Sequence, residues 1–349
     1  MEAKGFRDRV YWLTFLFSML VIWVHSFNAE LFLGVTEAAA KVDRVQRVLG
    51  EDLGQIAVPG FFMVSAYLFY RGFGWNKLLP KWRSRARSLA LPYVLWNFLY
   101  YMGYVIVTRL PVLYGVVGKE PVPVSPGHIL DAIVNYTYNP VFWYLFQLIL
   151  LVALAPLIYP VMRRNATGAA ALVLLVFGLW KGWSMPLLNL DALFYTCSAA
   201  FISLHRESWG KWAEARAGIR QGGAAVLILT LSFGLLRYLG QQGSPLRGLP
   251  VLTVGLRLWG VCAAVLCIKL APLPPAREWM KHNFFLYAIH FAWVRLFNKT
   301  GALLLPASGA AALLLFVLMP FLMAAVSNWI GKWMRRISPA VYGALSGGR

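Results

Sequence analysis

The sequence predicts an all-α fold, in which about ten helices cross a lipid bilayer as one bundle. Only 13% of the 349 residues are charged and 60% are hydrophobic, whereas soluble globular proteins carry about 25% charged residues. Uncharged runs of the roughly 20 residues that a spanning helix needs recur at 10–29, 88–108, 132–162 and 301–330. Helices satisfy their own backbone hydrogen bonds inside hydrocarbon, so we predict a single polytopic membrane domain over 1–349.

Hydropathy places the spanning helices near 10–33, 54–71, 88–108, 138–161, 166–183, 190–205, 222–239, 249–270, 283–304 and 307–331. The first run follows a basic amino-terminal segment, as in a signal peptide, but it is too long for one and no small-residue cleavage site follows. We interpret it as the first span. Lys181 and Asp191 interrupt the region of the fifth and sixth helices, so nine or eleven spans are alternatives.

Basic residues orient this bundle. With the amino terminus in the cytoplasm, 22 of the 33 lysines and arginines fall in cytoplasmic segments and nine in outer segments. Because positively charged loops stay on the cytoplasmic side, both termini are predicted to be cytoplasmic, and the protein to be a multi-pass protein of the cytoplasmic (inner) membrane. The same rule accounts for the net charge of +20 without a nucleic-acid partner.

Two predicted outer segments are longer than turns. Segment 35–53 is predicted to be a helix on the membrane surface, and its apolar face would consist of Val35, Ala39, Val42, Gln46 and Leu49. Segment 110–139 is rich in Pro and Gly and ends in a short apolar helical pattern at 128–136.

The first predicted helix carries a polar stripe. At about 100° per residue, Thr14, Ser18, His25 and Asn28 fall within about 80° of one another. Ionisable groups inside a span are costly and often functional, and His25 is the titratable member of this stripe. It is either a functional base or a side chain that hydrogen-bonds a neighbouring helix.

A second stripe lies on the ninth helix, where Asn283, Tyr287 and His290 share a face, while Arg295 points away from it. In the eighth helix, Arg257 has no carboxylate four residues before or after it, and it is a candidate for holding an anionic or carbonyl group. The thirteen carboxylates lie in loops or near span ends. We therefore predict no metal site, because metal binding needs a cluster of ligands.

Three arginines, Arg83, Arg85 and Arg87, lead into the third helix on the predicted cytoplasmic side. Positive-inside anchoring explains basic residues in this loop. Guanidinium groups also suit phosphate oxygens, so a phosphorylated cytoplasmic donor is a second interpretation of this cluster.

Several segments, taken in order, resemble the acyltransferase family 3 of integral membrane proteins. They are the VIWVHSFN of the first helix, VPGFFMVSAYLF, RSRARSLALPYVLWN, NPVFWYLFQLILLVALAPLIY and FFLYAIHFAWV. Members often have an arginine eleven residues before the first-helix histidine, where this chain has Thr14, and charged residues where it has Phe146 and Gln147. These departures change the electrostatics expected of the site.

The resemblance implies an O-acyltransferase that moves an acyl group, acetyl in the simplest case, from cytoplasmic acyl coenzyme A to a hydroxyl of a glycan or other cell-surface acceptor, without a metal. It implies that His25 is the general base or acyl carrier, and that Arg83, Arg85 and Arg87 bind the donor phosphates. Possible oxyanion or acceptor contacts are Asn28, Arg257, Tyr287 and His290. The pocket would include Thr14, Ser18, Ser65, Trp143 and Gln147.

Two other classes of function use the same stripes. A transporter of a glycan or lipid-linked sugar would use them as a polar path, and Thr14 in place of arginine favours that class. A membrane sensor related to the enzymes would bind ligand without turnover. The identity of the acceptor stays open among surface polysaccharide, peptidoglycan, lipid-linked sugar and small metabolites.

Overall fold

The computed structural model describes residues 2–111, 120–206, 219–240 and 248–348. Within these ranges the regular structure is helical and contains no β-strand. The chain forms two compact units, one of Met1–Leu78 with Leu154–Trp329 and one of Leu79–Ala153 with Ile330–Arg349. We call them the larger and the smaller unit. The interpretation of the whole chain as one functional domain stays a prediction.

The helices are, in chain order, α1 (Glu2–Val24), α2 (Ala29–Leu33), α3 (Glu37–Arg47), α4 (Ala57–Tyr70), α5 (Leu78–Arg85), α6 (Leu91–Val107), α7 (Pro126–Val134), α8 (Trp143–Ala153), α9 (Ala155–Arg163), α10 (Asn165–Trp180), α11 (Leu190–Leu204), α12 (Ile219–Gly240), α13 (Pro250–Leu270), α14 (Glu278–Lys281), α15 (Asn283–Leu304), α16 (Gly309–Ile337) and α17 (Pro339–Ser346). The smaller unit holds α5 to α8, α17 and the end of α16. The larger unit holds the rest.

Five helical runs in the described residues are long and apolar enough to cross a membrane, judged by length and composition: Gly5–Leu33, Glu37–Tyr70, Trp75–Val107, Pro250–Leu270 and Gly309–Ile337. The pair Pro140–Ala153 and Ala155–Arg163 makes a sixth if it is one bent span, and α10 and α11 are shorter apolar helices. The protein is therefore an all-helical, multi-pass membrane protein. The count of ten spans and the cytoplasmic location of both termini stay predictions.

Several predicted helices have the bounds that hydropathy indicated. The ninth, at 283–304, coincides with α15, and the eighth and sixth differ from α13 and α11 by a single residue at one end. Apolar composition bounded by polar or proline-containing segments predicts such helices well, because both signals are local in sequence.

The first predicted helix, 10–33, ends where the first candidate span ends, at Leu33, but it is wrong in its start and in its continuity. α1 begins at Glu2 and ends at Val24, and α2 begins only at Ala29. The hydroxyl of Ser26 donates to the carbonyl oxygen of Ile22 at 2.5 Å, which offers the backbone an alternative to the helical hydrogen bond. Residues 25–28 thus form a break, and Asn28 does not share a helical face with Thr14.

The fourth predicted helix, 138–161, is also wrong as a straight helix. It is interrupted between α8, which ends at Ala153, and α9, which begins at Ala155, and Pro156 lies in the first turn of α9. Proline has no backbone N–H, so it cannot donate to the carbonyl of Val152. Within the smaller unit that oxygen accepts a hydrogen bond of 2.8 Å from the indole N–H of Trp82 instead.

The helix predicted over 35–53 is confirmed in part, while its location on the membrane surface stays a prediction. α3 buries Ala39, Val42 and Gln46, as the spacing predicted, but Val35 is 92% exposed because it precedes the N-cap Thr36. The helix does not end before the second span either. It continues through a π-helical turn, Val48–Leu53, and a 3-10 turn, Gly54–Ile56, directly into α4.

One buried cluster fixes the end of α1 in the larger unit. Ile22 packs there with Leu286 and Val294 of α15 and with Met319 and Met323 of α16. Between spanning helices such side chains stabilise the contact through van der Waals packing rather than through removal of apolar surface from water. The break at residues 25–28 is therefore held against α15 by a continuous apolar core.

Candidate active site

His25 lies in the break that follows α1. Its backbone N–H donates to the carbonyl of Ile22 at 3.1 Å, and the N–H of Ser26 donates to that of Trp23. The side chain of His25 is half-buried. In the described part of the chain we find no hydrogen bond to its imidazole ring, so both ring nitrogens are available to a substrate.

The ring of His25 packs against α15. The centroids of the His25 and His290 rings are 5.3 Å apart, with an angle of 45° between their planes. Phe291 contributes an edge-to-face contact to His25 at 5.8 Å. The His25 ring is thus flanked by one imidazole and one phenyl ring of α15.

His290 is completely buried. Its Nδ1 lies 2.5 Å from the carbonyl oxygen of Tyr287, and because a carbonyl oxygen only accepts, Nδ1 carries the proton. The other nitrogen, Nε2, is then an acceptor, and it has no hydrogen-bond partner among the described residues. An unpaired buried acceptor is costly unless a donor reaches it, and a protonated His25 is one such donor.

A network of buried carboxamides holds the other end of the break. The amide of Gln46 donates to Asn28 Oδ1 at 2.6 Å, and Gln46 Oε1 accepts from the Asn28 backbone N–H at 3.2 Å. The amide of Asn28 donates to Asn298 Oδ1 at 3.3 Å and to the carbonyl of Ala312 at 3.2 Å. Asn298 in turn donates to the carbonyl of Ser26 at 3.2 Å. Asn28 is thus saturated by protein groups.

The roles of Gln46 and Asn298 in this hydrogen-bond network were not predicted from the sequence. Gln46 was interpreted only as part of an amphipathic face, although a carboxamide that is fully buried signals a polar network. Asn298 follows Tyr287 by eleven residues, which is three helical turns. A longer projection of α15 therefore includes it in the predicted polar stripe.

The polar stripes of α1 and α15 meet at a second point. Asn283 Nδ2 donates to Thr14 Oγ1 at 2.8 Å, and the Thr14 hydroxyl lies 2.9 Å from the carbonyl of Val10. Asn283 Oδ1 is buried without a hydrogen-bond partner in the described ranges. Ser18 is buried one turn along and donates to the Thr14 carbonyl.

Arg257 has a carboxylate partner from another helix. Its Nη1 lies 3.8 Å from Asp191 Oδ2 at the start of α11, and its Nη2 donates to Gln55 Oε1 at 2.8 Å. Because Asp191 and Arg257 are 66 positions apart, spacing along a single helix could not predict this ion pair. Part of the arginine charge is therefore compensated within the larger unit.

Two further candidates of the larger unit lie on α15 and α4. The ring of Tyr287 contacts that of His290, with centroids 5.8 Å apart. Ser65 is half-buried on α4. Of the predicted contacts, Tyr287 and His290 are thus brought together with His25.

The predicted donor arginines belong to the smaller unit, and they lie on helix rather than in a loop. Arg83 and Arg85 end α5, and Arg87 lies in the π-helical turn before α6. Arg83 and Arg87 are exposed. Arg85 is half-buried and lines a cavity of about 230 Å³ together with Trp82 and apolar side chains.

Trp143 and Gln147 lie one turn apart at the start of α8, with Trp143 36% exposed and Gln147 buried. Asn139, which precedes them, was not among the predicted site residues. It is fully buried, and neither its Nδ2 nor its Oδ1 has a partner within the described residues. Such a carboxamide pays a desolvation penalty of about 1–3 kcal/mol unless water or a ligand satisfies it.

The turn between α7 and α8 is ordered by a carboxylate outside the spanning helices. Asp131 accepts hydrogen bonds from Thr137 Oγ1 at 2.6 Å and from Asn135 Nδ2 at 2.8 Å, and these bonds lower the pKa of its carboxyl group. Tyr136 in this turn has a φ of 44°, which is strained for a residue with a side chain.

Among the described residues, no group of three or more His, Cys, Asp or Glu side chains is arranged to hold a metal ion. The polar groups gathered around the break are two imidazoles, a tyrosine and carboxamides. Such groups transfer protons and hold polar substrates.

Comparison with known proteins agrees with this chemistry. A family model described as an acyltransferase domain matches residues 10–342. The succinoglycan biosynthesis protein ExoH of Rhizobium meliloti (strain 1021) is 23% identical over 326 residues, which cover 88% of this chain and 83% of that protein. No solved structure gives a significant match. Because the family model matches nearly the whole chain, this protein is a member of that acyltransferase family.

Proposed function

We propose that this protein is a membrane-bound O-acyltransferase that modifies a cell-surface polysaccharide. The donor in this proposal is acyl coenzyme A, with acetyl as the acyl group, and the acceptor is a sugar hydroxyl. Membership of the acyltransferase family supports the reaction class. The similarity to a protein of succinoglycan biosynthesis supports a polysaccharide acceptor. Predicted topology places the protein in the cytoplasmic membrane with the donor side inside.

The observation that carries this proposal is the position of His25. The half-buried imidazole of His25 lies in a helix break, and the centroid of the His290 ring is 5.3 Å from its own. No described protein group forms a hydrogen bond with the ring nitrogens of His25. A structural histidine would normally have its ring nitrogens hydrogen-bonded when buried. A neutral imidazole that is free to accept a proton is the usual general base of acyl transfer.

In the proposed mechanism, His25 takes the proton of the acceptor hydroxyl while the hydroxyl oxygen attacks the thioester carbonyl carbon. The resulting tetrahedral oxyanion collapses with cleavage of the carbon–sulfur bond. The thiolate of coenzyme A receives the proton from His25, which returns the site to its starting state. Transfer through an acyl-imidazole is the variant in which His25 attacks first, and it releases the same products.

The neighbours of His25 have distinct roles in this proposal. His290 is assigned to positioning the base, because its unpaired Nε2 is an acceptor beside the His25 ring and a ring N–H of His25 is a suitable donor for it. Asn28 is assigned to holding the break rather than to the oxyanion, because its polar atoms are already bonded to Gln46, Asn298 and Ala312. Tyr287 and Arg257 stay candidates for stabilising developing negative charge in a water-poor site.

The donor phosphates are proposed to bind on the basic cytoplasmic side of the protein. Arg83, Arg85 and Arg87 are candidates because guanidinium groups suit phosphate oxygens, and Arg85 lines a cavity. The apolar remainder of that cavity offers packing for an acyl chain or pantetheine arm but no further charge.

The decisive experiment uses purified full-length protein in detergent with acetyl-labelled acetyl coenzyme A and a bacterial exopolysaccharide that has been chemically deacylated. We expect release of coenzyme A and labelling of the polysaccharide, both lost in His25→Ala. A transporter or a sensor would show neither product above background in the wild-type protein. That result would overturn the enzyme proposal.

A further inference from the structure

A cavity of about 430 Å³ in the larger unit lies outside the candidate active site. It is lined by the aromatic side chains of Trp75 and Tyr159 and by Arg163, Arg164 and Thr167. Its volume falls within the roughly 300–1,000 Å³ of small-molecule sites. The predicted donor cluster of Arg83, Arg85 and Arg87 does not include these residues.

The aromatic wall of this cavity is built on a buried tyrosine. Tyr159 is 5% exposed and packs on Phe73, with ring centroids 4.7 Å apart. Trp75 meets Tyr159 edge to face at 5.4 Å and remains 52% exposed. A large aromatic ring is thus held in place by a rigid support while much of its surface is open.

The opposite wall is positively charged. α9 ends at Arg163 and α10 begins at Asn165, so both arginines lie at the junction of two helices. Arg163 stands over the Tyr159 ring at 5.9 Å. Neither guanidinium has an ion-pair partner within the described ranges, and both are exposed. They are available to an anion.

All three key residues lie on the same predicted side of the membrane. In the predicted topology, Trp75 lies in the cytoplasmic loop that follows the second spanning helix, 54–71. Arg163 and Arg164 lie in another cytoplasmic loop. Positive-inside anchoring accounts for the two charges and interfacial anchoring for an exposed tryptophan. Neither effect explains why Trp75, Arg163 and Arg164 line the same cavity.

A ligand with a planar aromatic base and a phosphate group complements this lining, because the base fits the aromatic side chains and the phosphate fits the arginines. Bases stack on exposed aromatic side chains, and guanidinium groups bind phosphate oxygens in charge-assisted hydrogen bonds. We propose that the cavity formed by Trp75, Tyr159, Arg163 and Arg164 binds the adenine nucleotide portion of the acyl donor. This inference rests on the proposed function. Because all the phosphates of coenzyme A belong to its adenine nucleotide portion, this cavity replaces Arg83, Arg85 and Arg87 as the proposed phosphate site.

The test measures equilibrium binding of radiolabelled ADP to the full-length protein in detergent. We expect Trp75→Leu and Arg164→Gln each to raise the Kd for ADP about tenfold or more, from lost stacking or a lost charge-assisted bond. Trp75→Phe should recover most of the affinity. The controls Trp259→Leu, at a tryptophan that is 53% exposed, and Arg44→Gln should stay within about twofold.

Two results would overturn the assignment. One is a loss of ADP affinity in Arg85→Gln but not in Trp75→Leu or Arg164→Gln. That result would assign nucleotide binding to the cluster of Arg83, Arg85 and Arg87. The other is competition by pyrophosphate as strong as that by ADP, combined with full ADP affinity in Trp75→Leu, which would indicate a phosphate site without base recognition.

The His25→Ala variant separates this inference from the proposed function. It should retain ADP affinity within about twofold, because His25 does not line the cavity. Trp75-dependent ADP binding in a protein without acyl transfer would support the cavity assignment and contradict the enzyme proposal. Acyl transfer by a wild-type protein that binds no ADP would support the enzyme and contradict the cavity assignment.

Discussion

The imidazole rings of His25 and His290 lie 5.3 Å apart, one in a break after α1 and the other buried on α15. They differ in what occupies their nitrogens. His290 uses Nδ1 on the carbonyl of Tyr287, whereas no hydrogen bond to the His25 ring exists in the described part of the chain. In the proposed mechanism, this difference is the reason for giving His25 the proton-accepting role and His290 a positioning role.

The first prediction compares alanine substitutions of these two histidines. His25→Ala should reduce the transfer rate about 100- to 10,000-fold, the usual loss of a general base, with little change in unfolding temperature. His290→Ala should lose less activity but destabilise the protein by about 1–3 kcal/mol, because it leaves a cavity at a completely buried position. Transfer rates and thermal unfolding in detergent check both.

The two variants also discriminate a catalytic from a structural His25. If His25→Ala binds donor, unfolds at the wild-type temperature and keeps more than about a tenth of the transfer rate, the mechanism is wrong. The pH profile of His290→Asn adds a second measure. A positioning role predicts a changed profile with an unchanged KM for the donor.

The second prediction concerns the carboxamide network that closes the break. Gln46→Ala should destabilise the protein by about 1–3 kcal/mol, because it leaves the buried polar atoms of Asn28 without two hydrogen bonds. The matched control is Val45→Ala, the adjacent residue of α3, which is 53% exposed and should change stability by less than about 0.5 kcal/mol.

The network also predicts a loss of activity, since the bonds of Asn28 fix the residues that follow His25. The transfer rate of Gln46→Ala should fall while that of Val45→Ala should not. Equal unfolding temperatures for the two variants would show that the network contributes no stability. Asn298→Ala provides an independent test from α15.

The third prediction separates two roles for Arg257. Its ion pair with Asp191 is long, at 3.8 Å, and both side chains are partly exposed, so a double-mutant cycle of Arg257→Gln and Asp191→Asn should give a coupling of only about 0.5–1 kcal/mol. A substrate contact predicts lost transfer in Arg257→Gln and retained transfer in Asp191→Asn. Equal activity in both single variants would assign Arg257 to structure alone.

The fourth prediction tests topology. In a background without Cys197, Cys262 and Cys267, a cysteine at Lys77 should be protected from an impermeant reagent applied outside the cell, and one at Glu120 should react. The prediction follows from the concentration of basic residues in the segments assigned to the cytoplasm. Equal reaction at the two positions in intact cells would contradict the ten-helix arrangement.

Sequence alone determined the class of this protein and much of its helical layout. Apolar runs with polar or proline-containing ends predicted α15 over its full length and α13 to within a residue, because hydropathy and capping are local properties. The motif order also predicted the acyltransferase family, which the match over residues 10–342 confirmed. His25 was identified as the outstanding titratable residue, but its catalytic role stays a prediction.

Tertiary structure alone decided the surroundings of His25. The break after Val24 depends on Asn28 bonding to Gln46 and to Asn298, which is 270 residues away. Arg257 likewise has its carboxylate on another helix, and the carbonyl of Val152 freed by Pro156 is satisfied by Trp82. Helical periodicity reports only which residues share a face of one helix, whereas buried polar groups take partners wherever packing brings a donor to an acceptor.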